Sequence, residues 1–184
     1  MWTKKGHLTG QKKPFKIEDI WRIRTGLEID GNIKELALLN IAIDCKLRSC
    51  DLLRMKVRYI SSGGVIQNRV LYQQSNTERE VQFEITSRTA QSLTQWLMQS
   101  GLSASDYIFP SPRKEGKPMS YSCYDSYLYG THSMRRTKAT LIYARTKNIR
   151  AVQLLLGHAK LDNTIRYLGV EMEDALTISE DIEV

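Results

Sequence analysis

The amino-acid sequence predicts an α+β fold, mainly helical, with a small antiparallel sheet of about three strands. Apolar residues recur at helical spacing in the first and last thirds of the chain, and two β-rich runs flank a polar turn in the middle. Glycine and proline clusters separate these blocks.

Residues 1–14 hold Lys4, Lys5, Lys12 and Lys13 among Gly, Thr and Gln with no apolar period, so a mobile basic arm is expected. Ile17, Ile20, Trp21, Ile23 and Leu27 then fall on one helical face, closed by Asp30-Gly31, with Trp21 expected in the core. Ile33, Leu36, Ala37, Leu39, Ile43 and Leu47 form the apolar face of a second helix. Ser49–Arg54 reads as a short helix or turn, feeding an extended stretch from Val57 to Ile60 and a turn at Ser61-Ser62-Gly63-Gly64. Val65–Tyr72 and Val81–Ile85 flank the polar Gln73–Glu80 and complete the sheet. Ser92–Gln99 is an amphipathic helix stopped by Gly101, and the prolines between Phe109 and Pro118 mark a loop. Helices over Ser133–Lys147, Ile149–Leu156 and Asn163–Leu168 fill the C-terminal half, with no internal repeat and no low-complexity tract.

A chain of 184 residues with 41% hydrophobic content can bury one substantial core. The expected organisation is the basic arm 1–14, a single domain over 15–170 and an acidic tail or helix over 171–184. That last segment holds six acids and no Lys or Arg; without it, the net +7 of the chain becomes +13 over residues 1–170. Such a body favours a polyanionic partner. Cys45, Cys50 and Cys123 are odd in number and include no C-x-x-C pair, which indicates neither a disulfide framework nor a zinc cluster. No apolar run approaches the roughly 18 residues of a membrane span, so a soluble cytoplasmic protein is expected.

The chemistry lies in an ordered set: His132-Ser133-Met134-Arg135, Leu156-Gly157-His158 and Tyr167. A phosphodiester repels nucleophiles, and attack on it builds charge on its non-bridging oxygens, so catalysis depends on fixed positive donors. Arginine supplies a planar fork that stays charged and matches two phosphate oxygens. His132 and Arg135, three apart, share a helix face and can reach one phosphate. Taken singly, each residue also has a plainer reading: Arg48 as a helix-dipole partner, Gly157-His158 as a helix stop, Tyr167 as an amphipathic packing residue. Tyr121, Cys123, Tyr124, Tyr127 and Tyr129 read as packing, and His7, His132 and His158 lack the acidic or Cys neighbours of a metal site.

From Lys16 to Ala175 the chain resembles the tyrosine recombinases, the phage integrase family. The resemblance is carried by Arg48-Ser49-Cys50-Asp51, by His132-Ser133-Met134-Arg135-Arg136, and by Leu155-Leu156-Gly157-His158 with Tyr167 nine residues later. It implies that Arg48 and Arg135 clamp a scissile phosphate, that His132 and His158 donate hydrogen bonds or manage protons, and that Asp51 orients neighbouring cations. Tyr167 would attack phosphorus and leave a 3′-phosphotyrosyl bond, so neither cofactor nor metal is needed. The implied partners are double-stranded DNA and further copies of the protein in a dimeric or tetrameric synapse; the acidic segment 171–184 would dock as a helix on a neighbouring copy, the plainer alternative being packing on its own domain.

The sequence departs from the family pattern in three places. Family members carry a lysine in the hairpin turn to protonate the leaving 5′-oxygen, whereas Gln73–Glu80 has none; Arg69 and Arg79 are nearby cations, but arginine is a poor proton donor. Ser120–Gly130 is shorter than the helix and loop usual there, and no N-terminal clamp domain is expected. The main expectation is therefore a site-specific DNA recombinase. The alternatives are a catalytically impaired remnant that binds DNA as an accessory, and a relaxing enzyme of the type IB topoisomerase kind.

Overall fold

The computed structural model describes residues 13–121 and 131–169, with Thr131 and His132 described in backbone only. Most of the basic arm, His7, the Cys123 and Tyr124–Tyr129 cluster, the shortened segment to Gly130 and the acidic tail lie outside the described residues.

Helix α1 (Ile17–Ile29) begins with Glu18 and Asp19 in its first turn, where the helix dipole favours negative charge, and buries only Ile20 fully. It is a surface helix. Helix α2 (Ile33–Cys45) is the opposite case, with every residue from Leu36 to Cys45 buried. A helix apolar on nearly all sides belongs inside a domain, and α2 is packed by α1, by α5 (Ser87–Ser100) and by α6 (Thr131–Thr146). Lys46 ends α2 in the left-handed region at φ 53°, and the chain re-enters helix at α3 (Ser49–Leu53).

Val57–Ile60, expected to be extended, forms the single helical turn α4. The amides of Val57 and Arg58 donate to the carbonyls of Asp106 and Ala104 (3.0 Å each), and Tyr59 N donates to Lys56 O (3.0 Å). These bonds override the β preference of a Val-x-x-Ile run. The sheet also differs from the three strands expected: it is two separate antiparallel hairpins, β1 (Ser61–Ser62) with β2 (Val65–Ile66), and β3 (Arg69–Gln73) with β4 (Glu80–Glu84). Gln67 and Asn68 divide the run, since Gln67 N turns back to Ile60 O (2.8 Å) and Asn68 O accepts from Ile85 N (2.9 Å). In β3 and β4, Val70, Tyr72, Val81 and Phe83 point inward and alternate with exposed neighbours.

Leu38, Leu39, Ile41, Leu52, Met55, Ile60, Phe83, Leu93, Ile108 and Phe109 make the fully buried centre. A smaller cluster joins α6, α7 (Ile149–Leu156) and α8 (Leu161–Leu168): Ala139, Val152 and Leu156, with Ile142, Tyr143, Tyr167 and Leu168 against them. Trp21 is not core. It is 48% exposed and lies beneath the guanidinium groups of Arg88 (4.6 Å) and Arg24 (5.7 Å), a cation–π arrangement at the α1–α5 surface.

Candidate active site

Arg48 is the N-cap of α3, in extended conformation, and its carbonyl receives the first helical amides, from Asp51 (3.0 Å) and Leu52 (2.9 Å). Its side chain is half-buried, and Nη1 is buried without a hydrogen-bond partner. Asp51 is fully buried one turn on. Its Oδ1 accepts the Ser75 amide (2.9 Å), its carbonyl accepts the Tyr72 hydroxyl (3.1 Å), and Oδ2 has no partner. Asp51 thus fastens α3 to the β3–β4 turn.

Arg135 comes from α6 and is buried, with Nη2 donating to the Leu156 carbonyl (3.0 Å) at the end of α7 and Nε left without a partner. Burial lowers its pKa and the positive field of Arg48 lowers it further, while Tyr167 acts in the opposite sense. Its charge nonetheless persists at any physiological pH. His132 lies one turn before Arg135 on the same helix; its side chain is outside the described residues.

Helix α7 ends at Gly157, φ 68°, with Gly157 N donating to Leu154 O (3.1 Å) and His158 N to Gln153 O (3.1 Å). A left-handed glycine closing a helix is a common stop, but here it has a second cause. A Cβ at 157 would lie 2.6 Å from Val81 Cγ1 and 3.1 Å from Gln74 Oε1, so glycine lets the end of α7 press against the hairpin. The stop delivers His158 to the site, where its Nδ1 pairs with the Thr164 hydroxyl (3.1 Å) and its ring meets Tyr167 edge-on, centroids 5.4 Å apart. Burial, then Arg135 and Arg48, depress the His158 pKa to about 4, so the imidazole is neutral at physiological pH.

Tyr167 closes the group from α8, whose apolar side packs on Val152 and Leu156. Arg136 and Arg135 lie 5.3 and 5.7 Å from its ring centroid. The hydroxyl is buried and has no hydrogen-bond partner. Burial raises the phenol pKa to about 12, against the opposing pull of Arg135, Arg136 and Arg48. Arg48, Arg135, His158 and Tyr167, spread over 120 residues of sequence and four separate elements, therefore meet in one place.

The hairpin cations do not join them through any described contact: Arg69 and Arg79 are exposed. The turn is closed by Gln74 N to Arg79 O (2.9 Å), with Glu78 in the left-handed region at φ 51°. Gln74 is the participant that sequence reading missed. Buried beside the site, it donates to the same Leu156 carbonyl as Arg135 (3.4 Å) and accepts from the Thr77 hydroxyl (2.9 Å). Its only signal in the sequence was an amide at the inward register of an alternating strand.

Residues 18–174 match the phage integrase family. The chain belongs to that family. As a phage integrase family chain it is 28% identical over 147 residues to a tyrosine recombinase of Pseudothermotoga lettingae, covering 76% of this chain and 50% of that one. It is 24% identical over 166 residues to the probable integrase/recombinase YoeC of Bacillus subtilis, covering 84% and 87%. The chain thus spans half the length of the first relative and most of the second. Solved structures share the fold: XerA recombinase at TM-score 0.73 (15% identity, 93% of this chain and 65% of that one) and XerH bound to difH before cleavage at 0.67 (17%, 97% and 57%). No helix among the described residues is long and apolar enough to cross a membrane.

Proposed function

We propose that this chain is a site-specific DNA recombinase in which Tyr167 attacks a phosphodiester, leaving a 3′-phosphotyrosyl bond and a free 5′-hydroxyl. The observation that carries the reading is a set of buried polar atoms without partners in one cluster: Arg48 Nη1, Arg135 Nε and the Tyr167 hydroxyl. Folding leaves such groups unsatisfied only at considerable cost, and two arginine donors beside a phenol suit a phosphate that arrives with its substrate. Arg48 and Arg135 grip the non-bridging oxygens and neutralise the charge that develops there. His158, neutral in the free protein, serves as a hydrogen-bonding or proton-accepting group near the phenol rather than as a third fixed cation. His132 shares the α6 face with Arg135 and joins the clamp by sequence position. Double-stranded DNA is the partner, held by a body of net charge +13 over residues 1–170. The working unit is residues 15–170, flanked by the basic arm and by an acidic tail that supports self-association on DNA.

Incubation with nicked suicide DNA containing a candidate site tests this. The expected result is an SDS-resistant protein–DNA adduct that Tyr167→Phe abolishes. A second reading, DNA binding without cutting, is favoured by one feature: Gln73–Glu80 carries no lysine, and Lys46 and Lys138 are both engaged by carboxylates. Salt-sensitive binding to a verified site with no adduct would select it.

A further inference from the structure

Four charged side chains that the proposed chemistry does not use converge where α2, β4 and α6 meet. Lys138 Nζ contacts Asp44 Oδ1 and Glu84 Oε1, each at 2.6 Å. Lys46 Nζ contacts Glu84 Oε2 at 3.2 Å and donates to the Asp44 carbonyl at 2.6 Å. The other Asp44 oxygen, Oδ2, receives the Thr86 amide (2.9 Å), the Thr86 hydroxyl (2.8 Å) and the Thr89 hydroxyl (2.6 Å). The Lys46 side chain has no exposed surface at all, and that of Asp44 only 4%.

Lys138 and Glu84 keep 19% and 41% of their side-chain surface, so the network is buried at one end and open at the other; such an ion network is a poor source of stability, because apolar groups of similar volume do as well or better. What such a network supplies is geometry. Lys46 sits at φ 53°, a region that non-glycine residues occupy only when their surroundings hold them there. Two residues later comes Arg48, whose side chain makes no hydrogen bond among the described residues and whose place is therefore set by its backbone. Lys138 lies one helical turn after Arg135, on the same face of α6. The two lysines thus stand beside the two arginines; both contact the Glu84 carboxylate, while Asp44 meets Lys138 through its carboxylate and Lys46 through its backbone carbonyl.

We propose that Asp44, Lys46, Glu84 and Lys138 are positioning residues that set the spacing of Arg48 and Arg135, so that the two guanidiniums grip one phosphate. Lys46 fixes the turn that presents Arg48; Lys138 fixes the helix that presents Arg135; Asp44 and Glu84 are their common anchor. This inference rests on the reading of Arg48 and Arg135 as a phosphate clamp.

The test compares wild type with Lys138→Met, Lys138→Arg, the charge-balanced double variant Lys46→Met/Glu84→Gln, and Arg135→Met as the broken clamp. Each is held well below its melting temperature, and two quantities are read: affinity for inorganic phosphate by equilibrium dialysis, and the rate of adduct formation on nicked DNA. Lys138→Met and the double variant should lose about 10–100-fold in both while remaining folded, as groups that orient a site typically do, and Lys138→Arg should recover most of the loss. Wild-type phosphate affinity in either folded variant would overturn the proposal. So would failure of both variants to fold, which assigns the network to stability alone, or wild-type affinity no better than that of Arg135→Met. Phosphate binding that is lost in Lys138→Met, in a wild-type protein that forms no adduct, would leave the positioning role standing and sink the recombinase reading instead.

Discussion

Two groups of charge lie side by side, drawing on the same turn (Lys46 and Arg48) and on successive turns of the same helix (Arg135 and Lys138), and their hydrogen bonding is opposite. Around Asp44, Lys46, Glu84 and Lys138 the carboxylates and ammonium groups are engaged, with Asp44 Oδ2 alone receiving three hydrogen bonds. Around Arg48, Arg135 and Tyr167, polar atoms are buried with no partner. Burial of charge is costly in both places, yet the first is compensated throughout from within the chain and the second only in part, through Arg135 Nη2 on the Leu156 carbonyl. Saturated charge belongs to the frame; unsaturated positive charge belongs to something that binds.

This contrast can be broken from the frame side first. Lys138→Met leaves Asp44 and Glu84 without their shared cation, and a loss of about 1–3 kcal/mol in unfolding free energy is expected by chemical denaturation, below the cost of breaking a fully buried pair because solvent reaches Glu84 and Lys138. The mirror substitution in the site, Arg135→Met, should slow adduct formation by about 10²–10³-fold, the usual cost of a lost oxyanion donor, while stability holds or rises. A fall in stability as large as that of Lys138→Met would erase the distinction between the two clusters.

The hairpin offers a way to sharpen it. Ser75 is exposed at the turn, and its amide is held by Asp51 Oδ1 at 2.9 Å. Ser75→Lys places an ammonium where the turn has none and should accelerate cleavage by about 10²-fold if proton delivery to the 5′-oxygen is limiting. An unchanged single-turnover rate on nicked DNA would mean that another step limits.

The smallest expected effect is on pH. The folded-state pKa of His158 is about 4 against an ordinary 6.5, so its contribution to stability is complete above 6.5 and is lost as pH falls through 4. After solvent screening of a half-buried ring, about 1–2 kcal/mol should disappear over that window, and His158→Phe should flatten the curve in denaturation series run from pH 7 to 4.

Much of this was legible in the sequence because it depends on local period and punctuation. The two N-terminal helices and the three C-terminal helices lie close to where apolar spacing and glycine stops put them, although the second ends at Cys45, before Leu47, and the helix stopped at Gly101 starts at Ser87, five residues before the expected Ser92. Long-range bonding escaped that reading. Val57–Ile60 turns helical because its amides find carbonyls at 104 and 106, and Trp21 is drawn to the surface by Arg88 from another helix. At the site, Arg48, Arg135, His158 and Tyr167 were readable from residue type and order. The ion network was not, since Lys46 and Lys138 look like ordinary surface lysines until the fold sets them against Asp44 and Glu84. Gln74 was hidden for the same reason.

On the proposed function, the unsaturated cluster cuts DNA through Tyr167. The most direct measurement traps protein on nicked suicide DNA, digests the adduct and locates the nucleotide by mass spectrometry. The expected result is a nucleotide on the peptide containing Tyr167 and no adduct from Tyr167→Phe. A nucleotide on any other residue, or none on a verified site that the folded protein binds, would contradict it.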